Sequence, residues 1–466
     1  MPKATAGKTG GSELAEALGP TYPPVLVIAF LALNVVIFLL EVLTGGSTNT
    51  LNLIRFGAQY GPSVEAREYW RFITAAFLHI GILHVLVNGF CLWELGRPLE
   101  RLYGSAQFGF TYLLSGAGSS LVSFFAHEFV APQTVSAGAS GAIFGVAGAL
   151  AVAGRRFEHL VPENFGKIFG VGVAPFIALN LYYGFTHPGI DNFAHLGGVA
   201  AGLLCGLVLK PQAQTRRDAW TAASGFVILV LIAFGIQYRA VRNYDRALRT
   251  AARMLDANRL PEAEEELSGI LTRGALDPRV RVLEGTLKSR QGRTQEGIRE
   301  IHEALRVSPA FAPAYRALAA IYVAQGNPAA AASQYRSAIR LDPTDAATHL
   351  SLAEVSILQQ EYDEATGEFR TALQLDPRLA AAHYGLGVVA TLQQQPDTAG
   401  EEFRAALKIN PRFTAARHAL AALALKQGHH DEAIKELKEA LRLNPQDEWA
   451  KKALVAAEEM RSKAPQ

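Results

Sequence analysis

Apolar and polar positions divide the chain in two. Seven apolar runs lie between residues 25 and 236, roughly at 25–43, 76–95, 108–126, 140–153, 168–185, 193–209 and 222–236. A helix needs about 20 apolar residues to cross hydrocarbon, and the runs approach that length, the fourth least closely. A short run containing Gly and Ser is expected where neighbouring helices bury it or where it lines a wet cavity. The first run is too long for the core of a cleaved signal, and more runs follow, so it reads as a retained span. Residues 1–24 are polar, glycine-rich and proline-containing, and read as a disordered tail. Residues 244–466 hold most of the charge and read as a separate soluble half. The fold class expected is all-α: a polytopic membrane bundle followed by helices in water.

The second half repeats. Pro309, Pro343, Pro377, Pro411 and Pro445 are each 34 residues apart. They frame six units: 244–277, 278–311, 312–345, 346–379, 380–413 and 414–447. Small residues recur at the eighth place (Ala251, Gly285, Ala319, Ala353, Gly387, Ala421) and again at the twentieth. A bulky residue fills the twenty-fourth (Leu267, Ile301, Tyr335, Phe369, Phe403, Leu437). Small-against-large packing of paired helices explains these choices, and each proline ends a second helix. The stretch resembles the tetratricopeptide repeat, an α-solenoid, and the first unit, without a terminal proline, departs most. Residues 448–466 read as a polar capping helix and tail.

The net charge of +2 averages two unlike halves and gives no support for nucleic-acid binding. Cys91 and Cys205 both fall in apolar runs and read as packing residues, so no disulfide framework is implied. Basic residues set an orientation. With the N-terminus cytoplasmic, the inner loops hold Lys3, Lys8, Arg97, Arg101, Arg155, Arg156, Lys167, Lys210, Arg216 and Arg217, against Arg55, Arg67 and Arg71 outside. Seven crossings then put the repeats outside the cytoplasm. Arg239, Arg242 and Arg246 argue locally against this, but a long domain overrides such charge.

Some polar residues stand where hydrophobicity alone would exclude them. Ser140 lies in Gly138-Ala139-Ser140-Gly141 at the opening of the fourth run, and His195 in Ala194-His195-Leu196-Gly197-Gly198 on the sixth. Serine is a poor nucleophile until a base takes its proton, and histidine suits that task. Two residues so far apart in sequence meet only if their helices pack closely. Gly141 and Gly145 on one run, and Gly198 and Gly202 on the other, have the small-xxx-small spacing that permits it. Ser140 at a helix N-terminus also places its own amide near a developing oxyanion. The second run adds His79, His84 and Asn88, read as one helix with His84 and Asn88 on one face. Asn88 and His79 are the expected further oxyanion donors.

These motifs together resemble the rhomboid family of intramembrane serine proteases over residues 25–210. The resemblance rests on Trp70-Arg71, the His79/His84/Asn88 pattern, Gly96-Arg97-Pro98-Leu99-Glu100-Arg101 and the two motifs around Ser140 and His195. It implies a six-helix core, a Ser/His dyad without a third acid, no cofactor, and cleavage of membrane-anchored substrates near their spans. Carried over by position, Ser140 is the nucleophile and His195 the general base and acid. His79, Asn88 and the Ser140 amide form the oxyanion hole. Phe144 stacks under the histidine, Glu100 and Arg101 are structural, and His84, Gly138, Gly141, Gly198 and Gly202 support the site. Residues 211–243, the seventh span and its connector, and the repeats lie outside that core.

Other readings exist for the same residues. A lone Gly-x-Ser-Gly in a span is ordinarily helix packing, and a lone intramembrane His a satisfied polar residue. Ser136 is a rival nucleophile, but it precedes the expected helix start and lacks glycine flanks. Asp191, four residues before His195, suggests a triad; the plainer account is a polar residue of the outer loop 186–192. His127 and His187 read as interfacial. His429-His430 falls in a turn between repeat helices, with no accompanying ligand pattern for a metal. The rival function is a catalytically silent rhomboid-like membrane scaffold or chaperone acting through its repeats. A transporter would show duplicated spans, and none are evident. The expected partners are the lipid bilayer, membrane-protein substrates, and peptide or protein ligands on the repeats, with no nucleic acid. The expected location is a bacterial plasma membrane, since the short tail lacks an Arg-rich amphipathic transit segment.

Overall fold

The computed structural model describes residues 23–65, 67–130, 135–158, 166–186, 190–212, 214–271 and 276–463. The tail up to residue 22, His187 and the side chain of His127 lie outside that description. The chain divides into two units near residue 250, taken in turn.

In the first unit the leading apolar run is the helix Val25–Thr44. Its opening amides are capped from elsewhere in the chain. Glu100 accepts from the backbone N–H of Leu26 and of Val27, each at 2.9 Å, and from Ser105 Oγ at 2.5 Å. A carboxylate at a helix N-terminus meets both free donors and the positive end of the dipole.

The second and third runs form one helical stretch, Ile82–Val130, interrupted at Gly104 with φ 79° and ψ 160°. A straight helix rising about 1.5 Å per residue would hold Gly96 and Phe108 roughly 18 Å apart. Instead, a Cβ built on Gly96 lies 3.4 Å from Phe108 Cζ. The chain therefore doubles back at Gly104, where only glycine adopts that φ without strain.

The second span starts later than its apolarity suggests. Ala75–Phe77 is a single 3-10 turn, Leu78 is extended, and the helix begins at Ile82. Burial in an irregular segment explains the early apolar residues. Phe77 and Leu78 are fully buried, with Phe77 packed on Phe30 and Tyr112. His79 consequently lies off the helix that carries His84 and Asn88.

The short helices Ser140–Arg156 and Asn192–Val208 pack backbone to backbone. A Cβ on Gly198 would sit 2.8 Å from the Gly141 carbonyl carbon and overlap its oxygen. One on Gly202 would do the same to Gly145, and one on Gly148 would lie 2.8 Å from Val199 O. Arg156 closes the far end, donating to the carbonyls of Gly206 (3.0 Å), Leu207 and Leu209 (3.1 Å). Lys167–Thr186 is the fifth apolar helix. The seventh, Arg216–Asp256, extends past the expected 222–236 at both ends and takes in the first helix of the first repeat frame.

In the second unit the 34-residue frame sets the helices. They pair as Pro278–Arg290 with Thr294–Val307, Ala312–Ala324 with Pro328–Leu341, and Ala346–Leu358 with Tyr362–Leu375. Ala380–Leu392 pairs with Pro396–Ile409, and Thr414–Lys426 with His430–Leu443. Each of these second helices ends two residues before its proline. The small-against-large rule is visible directly: a Cβ on Gly285 would lie 2.6 Å from Ile301, and one on Gly387 2.5 Å from Phe403. Helix Glu448–Lys463 follows, packing Ala450 and Ala457 against Leu437 and Ala440.

Candidate active site

The glycine contacts bring two polar side chains together. His195 Nε2 lies 3.1 Å from Ser140 Oγ. Ser140 is the first residue of its helix, so its side chain faces the loops at the helix's N-terminal end. The His195 ring stacks on Phe144, with centroids 4.2 Å apart and planes 18° apart. That fixes the ring's plane while leaving its edge toward the serine.

Asp191 does not extend the pair into a triad. Its Oδ1 accepts from the Ala194 amide at 2.9 Å, capping the helix that carries His195, and its Oδ2 accepts from Ser123 Oγ at 2.5 Å. His195 Nδ1 is buried and meets no protein partner among the described residues. Ser136 is tied into a two-residue antiparallel pairing, with Gln59 opposite Ser136 and Tyr60 opposite Val135.

A cavity of about 400 Å³ opens over the pair. His84, Asn88, Gly138, Ser140, Phe144 and His195 line it, and the fifth apolar helix adds Phe176, Asn180 and Tyr183. That volume suits a short peptide segment, not a whole helix.

The donors around the serine differ from the expected set. His79 is absent from the cavity wall and fully buried. Its ring meets that of His84 edge-on, with centroids 5.4 Å apart. His84 takes the place expected of His79. The Ile80 amide donates to His84 Nδ1 at 3.2 Å, which puts the ring proton on Nε2. That nitrogen would lie 3.0 Å from a Cβ on Gly138, beside the serine. Asn88 is buried on the same wall, and its Nδ2 has no protein partner among the described residues. The sequence offered a cue, since only His84 and Asn88 keep helical spacing.

Residues 66–212 match the Rhomboid domain model, and residues 282–346, 322–387 and 390–457 match tetratricopeptide repeat models. The chain is a rhomboid-domain protein with tetratricopeptide repeats. The rhomboid protease GluP of Bacillus subtilis (strain 168) is 34% identical over 254 residues, covering 53% of this chain and 47% of that one. RHOMBOID-like protein 6, mitochondrial, of Arabidopsis thaliana is 36% identical over 186 residues, covering 39% and 57%. The chain thus spans about half the length of the curated relatives it matches. Among solved structures, MamA is 26% identical with a TM-score of 0.33, covering 35% of this chain and 95% of that one. PilW, a type IV pilus biogenesis factor, is 14% identical with a TM-score of 0.41, covering 45% and 98%. Rhomboid relatives and apolar helices together support an integral membrane protein.

Proposed function

We propose that this rhomboid-domain chain is an intramembrane serine endopeptidase that cleaves membrane-anchored proteins in or near their spans. The 3.1 Å approach of His195 Nε2 to Ser140 Oγ carries the reading. Packing alone gives no reason to aim a hydroxyl and an imidazole at each other between two glycine-paired helices.

The mechanism follows from the groups present. His195 Nε2 takes the proton from Ser140 Oγ as the oxygen bonds to the substrate carbonyl carbon. The carbonyl oxygen becomes an oxyanion and receives hydrogen bonds from the Ser140 amide, His84 Nε2–H and Asn88 Nδ2–H. This corrects the expected assignment of His79 to that role. His195 returns the proton to the leaving amine as the C–N bond breaks. Water then repeats the sequence on the acyl-enzyme and frees the serine. A helical peptide bond is hydrogen-bonded and shielded, so a substrate span must unwind to reach the cavity. Gly or Pro near the cleavage point lowers that cost. The Phe176, Asn180 and Tyr183 wall supports entry beside the fifth span.

The contacts also support a sidedness. Residues after the first span lie on the membrane face opposite the N-terminus. Gln237, near the end of the seventh span, bonds to Ile54, Arg55 and Trp70 on that face. The chain therefore leaves the seventh span on the face of the cavity's loop residues 75–76 and 135–138. With the N-terminus cytoplasmic, cavity and repeats are extracytoplasmic, in a bacterial plasma membrane. The repeats then meet peptide or protein partners there and recruit substrates.

The test compares membrane-protein fragments released by cells carrying the intact chain and the Ser140→Ala variant at equal expression. Fragments should disappear with the variant. Their persistence would leave a membrane-tethered scaffold as the better reading.

A further inference from the structure

The seventh span lies outside the 66–212 match, and the proposed mechanism does not use it. Yet it carries Gln237, only 2% exposed. A side-chain amide in a membrane helix is costly unless it is bonded. Gln237 is bonded across the chain. Its Oε1 accepts from Trp70 Nε1 at 2.8 Å, and its Nε2 donates to Ile54 O at 3.2 Å and Arg55 O at 2.9 Å. Further along the same helix, Asp245 pairs with Arg55 at 2.9 Å.

The segment so gripped is the one that holds the approach to Ser140. Thr74 Oγ1 donates to Gly57 O at 2.6 Å, and Arg71 donates to Ile54 O at 2.7 Å and Ala58 O at 2.9 Å. These bonds lock residues 54–60 to residues 70–75. Both parts then hold the strand before the serine. Gln59 and Tyr60 pair with Ser136 and Val135, and Ala75 O accepts from the Gly138 amide at 2.9 Å. Gly57 sits in the joint: a Cβ there would lie 3.3 Å from Gln237 Cγ and 3.0 Å from Thr74 Cβ. Two routes therefore run from Gln237 to residues 135–138, and Ser140 follows directly.

We propose that Gln237 is a positioning residue for the Ser140 site, so that the seventh span is a working part of that site. It touches no reacting atom. It fixes residues 54–60 and 70–75, and these fix the backbone that presents Gly138 and Ser140. The kinetic consequence rests on the proteolytic reading; the structural one does not.

The experiment uses the full chain in lipid nanodiscs with Gln237→Met, which keeps volume and removes the bonds, and Trp70→Phe, which removes one donor. Amide hydrogen exchange is read at residues 54–60 and 135–138, with helix Asn192–Val208 as internal reference. Gln237→Met should speed exchange at both segments by about tenfold, the scale of one lost net hydrogen bond of roughly 1.4 kcal/mol. Trp70→Phe should give a smaller change at the same amides, and the double variant should match Gln237→Met. In cleavage of a membrane-anchored reporter, kcat should fall while KM holds. Unchanged exchange at 135–138 in Gln237→Met overturns the proposal, whether or not the protein cleaves anything. If Gln237→Met fails to fold, unchanged exchange at 135–138 in Trp70→Phe does so equally. A chain that cleaves nothing yet shows the exchange change refutes the proteolytic reading alone.

Discussion

Gly198→Ala tests whether the approach of two helix backbones is what brings serine and histidine into contact. The added Cβ would sit 2.8 Å from the Gly141 carbonyl carbon and overlap its oxygen. Both atoms are backbone, so no side chain can turn away. Ordinary carbon–carbon spacing is about 3.5–4 Å, so the helices must part by roughly 1 Å. His195 stands one turn before Gly198 and Ser140 one residue before Gly141, so the separation falls on their 3.1 Å contact. Beyond about 3.5 Å that hydrogen bond is lost. Losing general-base assistance costs roughly 10²–10⁴ in rate, while overpacking costs about 1–3 kcal/mol in stability. The variant should insert, melt somewhat earlier and cleave a membrane-anchored reporter at least about a hundredfold more slowly. Gly225→Ala, at a position with nothing within 4 Å, is the control and should match the parent. A Gly198→Ala protein with parental kcat would show that the Ser140–His195 contact does not depend on this close backbone approach.

Two further outcomes are expected. His84→Ala should slow cleavage by about 10²–10³, the usual cost of one oxyanion donor. His79→Ala should cost less than about tenfold, the scale of an aromatic edge contact; the opposite order in a reporter assay would restore the original assignment. In the repeats, the Ala450 amide donating to Asp447 at 3.0 Å, with the His418 ring 2.7 Å away, holds the Asp447 carboxyl below the usual carboxylate range. A lowered value means the folded chain favours the charged form. That stabilisation is present above the unfolded value of about 4 and is lost as pH falls through the folded one. Asp447→Asn should therefore be less stable than the parent at neutral pH, and the gap should close below about pH 4. A gap independent of pH in full-chain thermal melts would contradict this.

Close packing was legible because it leaves a compositional mark. Only glycine survives where Gly198 meets Gly141, and only alanine or glycine opposite Phe369 or Phe403. Thus residue size carries the repeat register, and it marks two helices able to approach closely. The start of the second span could not. Phe77 and Leu78 are as apolar as any membrane-helix residue, but they are buried in a 3-10 turn and the extended residue after it, and hydrophobicity reports burial without reporting backbone conformation. That is why His79 was expected beside Asn88 when His84 stands there. Long-range polar contacts were equally hidden. Asp191 as a cap, Glu100 on the first helix and Gln237 on the 54–70 segment each depend on partners far away in sequence. A polar residue in an apolar run signals only that some partner exists.

The proposed chemistry requires that His195 activates Ser140. The most direct measurement is mass-spectrometric identification of the residue modified by a fluorophosphonate in the 466-residue chain, in the parent and in His195→Ala. The prediction is an adduct on Ser140 in the parent and none in His195→Ala over the same interval. Labelling of Ser140 at the same rate in both, or no adduct on Ser140 in the parent, would contradict it.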